Sequence, residues 1–97
     1  MNILILGSGG REHALAWAVS ENPVCTKLFC APGNAGISKI ADCININIMN
    51  KLEVLNLCYD KSIDFVIIGP EEPLSYGLSD TLRENDILTF GPSQEAS

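Results

Sequence analysis

The 97-residue sequence has few basic residues and no long apolar segment. Lys and Arg number 6 against 12 Asp and Glu, which leaves a net charge of −6. A nucleic-acid surface needs clustered Lys and Arg, so this balance argues against a nucleic-acid partner. No apolar run approaches the ~20 residues of a membrane helix, and no basic segment precedes the short apolar start. We therefore expect a cytoplasmic protein with no membrane partner.

The usual signals of a metal site are also missing. The cysteines Cys25, Cys30, Cys43 and Cys58 form no C-x-x-C pair, and the only histidine, His13, is far from them in sequence. Zinc ligands normally occur in close pairs, so we expect reduced thiols in strands and a helix and no metal ligand. The sequence also shows no recognisable catalytic combination of nucleophile, base and acid, so no catalytic residue is predicted.

Hydrophobic patterning predicts a single α/β domain. Apolar residues make up 46% of the chain, enough for one core. The pattern predicts strands at 2–6, 26–31, 43–46, 63–68 and 87–90, and helices at 11–20, from a cap at Asn47 or Asn50 to about Asp60, and at 74–84. This alternation is typical of a Rossmann-like parallel sheet of about five strands with helices on both faces.

Periodicity also predicts which helix faces point inward. In the first helix the predicted inward residues are Ala14, Leu15, Ala18 and Val19; in the second they are Leu52, Leu55 and either Tyr59 or Cys58.

The segment Gly7-Ser8-Gly9-Gly10 joins the first apolar strand to the first helix. Gly9 and Gly10 carry no side chain to hold a ligand away from the backbone. The first amide groups of a helix have no partner within it, so they favour an anion, and Arg11 adds a charged donor. The loop therefore predicts a phosphate cradle. The alternative is a tight turn without a ligand.

Two further loops are expected at the same edge of the sheet. Open parallel sheets bind ligands beyond the carboxyl ends of the strands, where the strand order reverses and the first strand lies beside the fourth. The loops Pro32–Gly36 and Gly69–Pro73 would then flank the glycine loop. Glu71 would bind two sugar hydroxyls or an amine, or remain a solvated acid. Asn34 would bind a ligand or cap its own loop.

Two departures argue against a nicotinamide dinucleotide as the ligand. The G-x-G-x-x-G fingerprint needs a third glycine where this chain has Glu12. The second strand ends in Ala31-Pro32-Gly33 and has no acidic residue for a ribose hydroxyl. A Walker A loop is excluded because no Gly-Lys-Ser/Thr occurs. His13, in the first helical turn, is interpreted as a packed or interface residue and not as a general base.

Four motifs together resemble one known family. Residues 1–17 (MNILILGSGGREHALAW) closely resemble the start of the phosphoribosylamine–glycine ligases. Residues 31–36 (APGNAG), 68–74 (IGPEEPL) and 90–93 (FGPS) resemble the second, third and fourth signatures of that family. The motifs follow the family's order and spacing over essentially the whole chain.

The resemblance implies the N-terminal domain of an ATP-grasp enzyme of purine biosynthesis. Such ligases join phosphoribosylamine to glycine through a glycyl phosphate and convert ATP to ADP and phosphate. The later ATP-grasp domains hold ATP and Mg²⁺, so none is expected on this chain. The site for the sugar phosphate would comprise Gly9, Gly10, Arg11, Pro32, Gly33, Asn34, Gly69, Pro70 and Glu71.

The family's enzymes are several times longer than this chain. We therefore expect residues 1–97 to form a single substrate-binding domain and to lack the ATP-grasp domains. In the complete enzyme those domains would be its partners. Such a fragment would be inactive alone. The alternative is a free-standing Rossmann-like module that binds a ligand or has a regulatory role. A nicotinamide-dependent oxidoreductase is disfavoured by Glu12 and by the end of the second strand.

Overall fold

The computed structural model describes residues 1–7, 10–68 and 75–90, and of Gly10, Ser75, Tyr76 and Ser79 only the backbone. Within these residues the chain forms one parallel sheet of five strands, in the order β3-β2-β1-β4-β5. The strands are β1 (Asn2–Gly7), β2 (Lys27–Pro32), β3 (Asp42–Cys43), β4 (Phe65–Ile68) and β5 (Leu88–Phe90). β1 thus lies between β2 and β4, which confirms the predicted reversal point.

Helices cover both faces of the sheet. They are α1 (Gly10–Ser20), α2 (Lys51–Asp60) and α3 (Ser75–Glu84), with a short 3₁₀ helix at Ile37–Lys39. Alternate side chains of β1 lie in two hydrophobic cores, one on each face of the sheet. Leu4 and Leu6 pack with α2 and α3, whereas Ile3 and Ile5 pack with α1 and the 3₁₀ helix. The structure therefore confirms the Rossmann-like α/β fold.

The predicted inward face of α1 is partly wrong, because Leu15 and Val19 pack against the core but Ala14 and Ala18 do not. Ala14 and Ala18 are exposed, Leu15 and Val19 are partly buried, and Ala16 is fully buried. The buried stripe begins instead with a carboxylate, Glu12, at 3% exposure. Apolar periodicity alone does not predict this buried stripe, because its first residue, Glu12, is charged.

The predicted inward face of α2 is also partly wrong. Leu52 and Tyr59 are exposed, and the buried residues are Val54, Leu57 and Cys58. Apolar residues occur on most sides of this helix, so periodicity alone does not determine its orientation. The cap is Asn50, whose Oδ1 accepts hydrogen bonds from the amides of Leu52 (3.0 Å) and Glu53 (3.3 Å).

The third strand is shorter than predicted. Regular pairing with β2 covers only Asp42 and Cys43, followed by one further hydrogen bond from the Ile44 amide to the Cys30 carbonyl (2.8 Å). A short strand at the edge of a sheet limits the unpaired backbone that it presents to other chains.

Among the described residues, no helix is long and apolar enough to cross a bilayer.

Candidate functional site

The carboxyl ends of the three central strands lie side by side. Gly7, the last residue of β1, pairs with Pro32, the last residue of β2. On the other side of β1, Leu6 pairs with Ile68, the last residue of β4. The chain therefore leaves all three strands at one edge, at the position where the strand order reverses.

The turn from β1 to α1 needs glycine at its first position. Gly7 has a φ of +135°, a conformation that side chains disfavour. The helix begins at Gly10, and Arg11 is exposed in its first turn. The amides of a first helical turn point toward the N-terminal end, so this turn directs donors to the sheet edge.

Glu12 occupies the space beside Gly7. A Cβ placed on Gly7 would lie 2.5 Å from both Cγ and Oε1 of Glu12. In the dinucleotide fingerprint this helix position is a glycine, which permits close packing. Here a buried carboxylate fills that space. In the sequence Glu12 stands out only as a departure from a motif. Its spacing of three and four residues to Leu15 and Ala16 is the signal that indicates its burial.

The loop after β2 is tied directly to the end of β1. Gly33, with a φ of +72°, donates its amide to the carbonyl of Gly7 over 3.1 Å. The next residue, Asn34, accepts a hydrogen bond at Oδ1 from the amide of Ile37 (2.9 Å). The structure thus shows Asn34 capping its own loop, which is one of the two roles considered for it. A ligand contact from Asn34 stays a prediction.

His13 connects the first turn of α1 to the same loop. A Cβ placed on Gly36 would lie 2.8 Å from Cε1 of His13 and 3.4 Å from Oδ1 of Asn34. The imidazole therefore packs against the loop backbone although the residue is exposed. This arrangement agrees with the interpretation of His13 as a packed residue.

A neutral thiol lies beneath the two loops. Cys30 donates from Sγ to the Gly7 carbonyl over 3.4 Å. The pKa of the Cys30 thiol is raised to about 12, mainly by burial and to a smaller extent by nearby Cys43 and Glu12. Cys30 therefore adds no negative charge near a bound anion. In the described part of the chain, no group of three or more His, Cys, Asp or Glu side chains is placed to hold a metal ion.

A groove of about 630 Å³ lies elsewhere, between α2 and the segment after β3. Its lining includes the carboxylates Glu53 and Asp60 beside one cation, Lys61. Asp60 and Lys61 pair at 3.6 Å. Two carboxylates around one paired lysine disfavour an anion, so this groove does not match the predicted ligand.

The structure brings Gly10, Arg11, Pro32, Gly33 and Asn34 to one edge of the sheet. The other predicted site residues, Gly9, Gly69, Pro70 and Glu71, lie outside the described residues. Their roles stay predictions.

An open parallel sheet with glycine-dependent turns at its reversal point defines the chain as a Rossmann-like α/β domain with a candidate anion site. A family model described as "Phosphoribosylglycinamide synthetase, N domain" matches residues 1–97. The chain belongs to this family.

Named relatives agree with the family assignment. The chain is 50% identical over 97 residues to a phosphoribosylamine–glycine ligase of Rhizobium meliloti (strain 1021), and 48% identical over 98 residues to that of Pseudomonas aeruginosa. Each match covers 100% of this chain and 23% of the relative. The chain thus spans about a quarter of the length of these curated relatives.

A solved structure supports the fold as well. The crystal structure of phosphoribosylamine–glycine ligase from Thermotoga maritima matches with a TM-score of 0.65 and 28% identity. That match covers 98% of this chain and 20% of the other. The described sheet therefore corresponds to one part of a much longer protein.

Proposed function

We propose that this chain is the sugar-phosphate-binding domain of an ATP-dependent ligase that joins phosphoribosylamine and glycine. The observation that carries the proposal is the match of the whole chain to the N domain of that family, with 50% identity to a ligase of that name. The geometry adds support, because β1, β2 and β4 all end at the edge where such a ligand would bind.

The start of α1 is suited to the 5′-phosphate. Backbone amides of Gly9 and Gly10 would donate to the phosphate oxygens, and Arg11 would add a charged donor. The buried carboxylate of Glu12 and the neutral thiol of Cys30 lie below this turn. The phosphate would therefore bind on the outer side of the turn, toward Arg11.

The neighbouring loops would hold the sugar. Pro32, Gly33 and Asn34 would line the ribose on the β2 side. Gly69, Pro70 and Glu71 would line it on the β4 side, with Glu71 binding ribose hydroxyls or steering the amine. Holding the amine in place lowers the entropic cost of its attack on the activated glycine.

This chain would contribute binding and orientation, not proton transfer. In the complete enzyme, ATP and Mg²⁺ would supply the activation of glycine. Because the chain matches an N domain, we assign the nucleotide and the metal to the remaining domains. We propose that the enzyme works in the cytoplasm.

A hybrid enzyme tests the proposal. In it, this chain replaces the matching domain of the Rhizobium meliloti ligase. We expect the hybrid to release phosphate only when ATP, glycine and phosphoribosylamine are all present. The 97-residue chain alone should show no release above background. A hybrid that is folded but inactive would contradict the proposal, and an active isolated chain would contradict the division of roles.

Glu71 can be tested in the same hybrid. Glu71→Ala should raise the KM for phosphoribosylamine by about tenfold or more, equivalent to ~1.4 kcal/mol of lost binding. The neighbouring Glu72→Ala is the matched control and should change KM by less than about threefold, ~0.65 kcal/mol. An unchanged KM in Glu71→Ala would remove that residue from the site.

A further inference from the structure

One region of the sheet carries apolar side chains that the described helices leave exposed or cover only in part. In β4, Phe65 and Ile67 point toward the α1 side of the sheet and are only partly buried. Their partners in β5 are Leu88 and Phe90, which therefore point to the same side. Leu88 and Phe90 are 61% and 68% exposed. We call these four residues the β4–β5 face.

The helices explain why this face is bare. On the α1 side, α1 contacts β1 and β2, and the 3₁₀ helix contacts β3. On the opposite side, α3 contacts β5, and Arg83 donates to the Thr89 carbonyl over 3.3 Å. Parallel strands are normally covered on both faces. Within the described residues, the α1 side is only partly covered at β4 and largely exposed at β5.

The β4–β5 face differs from other exposed apolar positions of the chain. Leu52 and Tyr59 are also exposed, but they lie two turns apart on α2 with the exposed, polar Asn56 between them. Scattered apolar side chains of this kind are ordinary. By contrast, Leu88 and Phe90 are successive outward residues of one strand and adjoin Phe65 and Ile67 of the next. A contiguous patch of four such side chains is typical of an interface.

We propose that the β4–β5 face is the surface on which the polypeptide that follows this domain in the ligases packs. The inference rests on the proposed function. Two observations select this occupant. The chain matches an N domain and covers 23% of its relatives, so most of the relatives' length lies outside it. Phe90 is both the last residue of β5 and a member of the face, so the sequence that follows β5 is attached directly beside this face.

The occupant would be a polypeptide with apolar side chains, since the four residues that it covers are all apolar. The occupant would join the domain to the part of the enzyme that we expect to hold ATP. A second copy of this chain is the rival occupant, and the test below separates the two.

Hydroxyl-radical footprinting measures the cover directly. The 97-residue chain and the hybrid ligase described above are oxidised in parallel, and modification is read at single residues by mass spectrometry. We expect Leu88 and Phe90 to be modified several-fold less in the hybrid than in the isolated chain. Leu52 and Tyr59 are internal controls and should be modified equally in both. Equal modification of Leu88 and Phe90 in the two proteins would overturn the proposal.

Dilution of the isolated chain tests the rival occupant. If a second copy covers the face, Leu88 and Phe90 become protected as the concentration of the isolated chain rises, and sedimentation shows a dimer. That result would overturn the proposal. Modification that is independent of concentration supports it.

Paired variants test whether the cover contributes to stability. Phe90→Asp should lower the melting temperature of the hybrid by several degrees, because it places a charge in the interface. It should leave the isolated chain nearly unchanged, because Phe90 is exposed there. Leu52→Asp, at a position 69% exposed, should have little effect in either protein. Equal effects of Phe90→Asp and Leu52→Asp on the hybrid would contradict the proposal.

The footprinting experiment and the ligase assay test the two proposals separately. A protected β4–β5 face in an inactive hybrid would contradict the proposed function but support the packing surface. An unprotected face in an active hybrid would support the proposed function but contradict the packing surface.

Discussion

Gly33 and Gly36 lie in the same loop but differ in what they require of a side chain. Gly33 has a φ of +72°, and a Cβ there would collide with Sγ of Cys43. Gly36 has an ordinary φ of −67°, and a Cβ there would meet the ring of His13, the movable end of a side chain. The loop after β2 therefore depends on glycine at position 33 more than at position 36.

We predict that Gly33→Ala lowers the free energy of unfolding by about 1–2 kcal/mol or more, since the left-handed conformation alone costs about that much. Gly36→Ala, the matched control, should cost less than about 1 kcal/mol. Urea unfolding followed by circular dichroism measures both. Equal losses would show that the backbone at Gly33 is not constrained as described.

Because two thiols are buried, the free energy of unfolding depends on pH in the alkaline range. Burial raises the pKa of Cys30 to about 12 and that of Cys58 to about 11, from 9.0. The unfolded chain releases these protons above pH 9, whereas the folded chain keeps them. The stability contributed by each thiol is therefore complete below pH 9 and is lost as pH rises toward the folded-state value.

We predict that the free energy of unfolding falls by about 2 kcal/mol per buried thiol between pH 8 and about pH 10.5. Cys30→Ala and Cys58→Ala should each make this fall shallower, although each also leaves a small cavity at every pH. Cys43→Ala, at an exposed position, is the control and should change the slope less than either, because Cys43 makes only a secondary contribution to the pKa of Cys30. Denaturant unfolding across this range checks the prediction; identical slopes in all four proteins would refute it.

At the scale of elements, α2 depends on its cap. Asn50 accepts from the amides of Leu52 and Glu53 and so satisfies two donors of the first turn. We predict that Asn50→Ala costs about 1 kcal/mol of stability. Asn56→Ala, at an exposed position within the same helix, should have no cost or a small gain, because alanine is the better helix former. Thermal unfolding of the two variants compares them; a loss in Asn56→Ala as large as in Asn50→Ala would contradict the capping role.

The elements and their order could be predicted from the sequence, because buried parallel strands are short apolar runs and the glycine turns separate them from helices. The sequence left Asn47 and Asn50 as alternative caps of α2, and the structure selects Asn50. The orientation of the helices could be predicted only in part. Glu12 is a carboxylate in a buried stripe, and α2 has apolar residues on most sides, so apolar periodicity identified the buried faces incompletely.

The sequence predicts which strand ends meet at the candidate site, but not the contacts within its loops. The reversal point follows from the winding of the sheet, so the meeting of Gly7 with the loop after β2 could be expected. The hydrogen bond from Gly33 to Gly7 and the packing of His13 on Gly36 could not, because they depend on the path of each loop through space.

At the scale of the whole molecule, an acidic domain of net charge −6 is proposed to bind a phosphate. Local donors that point at the ligand can do this, since salt at ordinary ionic strength largely screens the repulsion from charges more than about 8–10 Å away. We therefore propose that, in the described chain, the phosphate binds only at the edge of the sheet where β1, β2 and β4 end.

An NMR titration of the ¹⁵N-labelled 97-residue chain tests this central claim most directly. Ribose 5-phosphate is added, with ribose and NADH as matched controls. With ribose 5-phosphate we predict chemical-shift changes concentrated at the amides of Gly10, Arg11, Gly33 and Asn34, and with either control much smaller changes. Unchanged amides at these positions, or changes centred on the groove at Glu53 and Lys61, would contradict it.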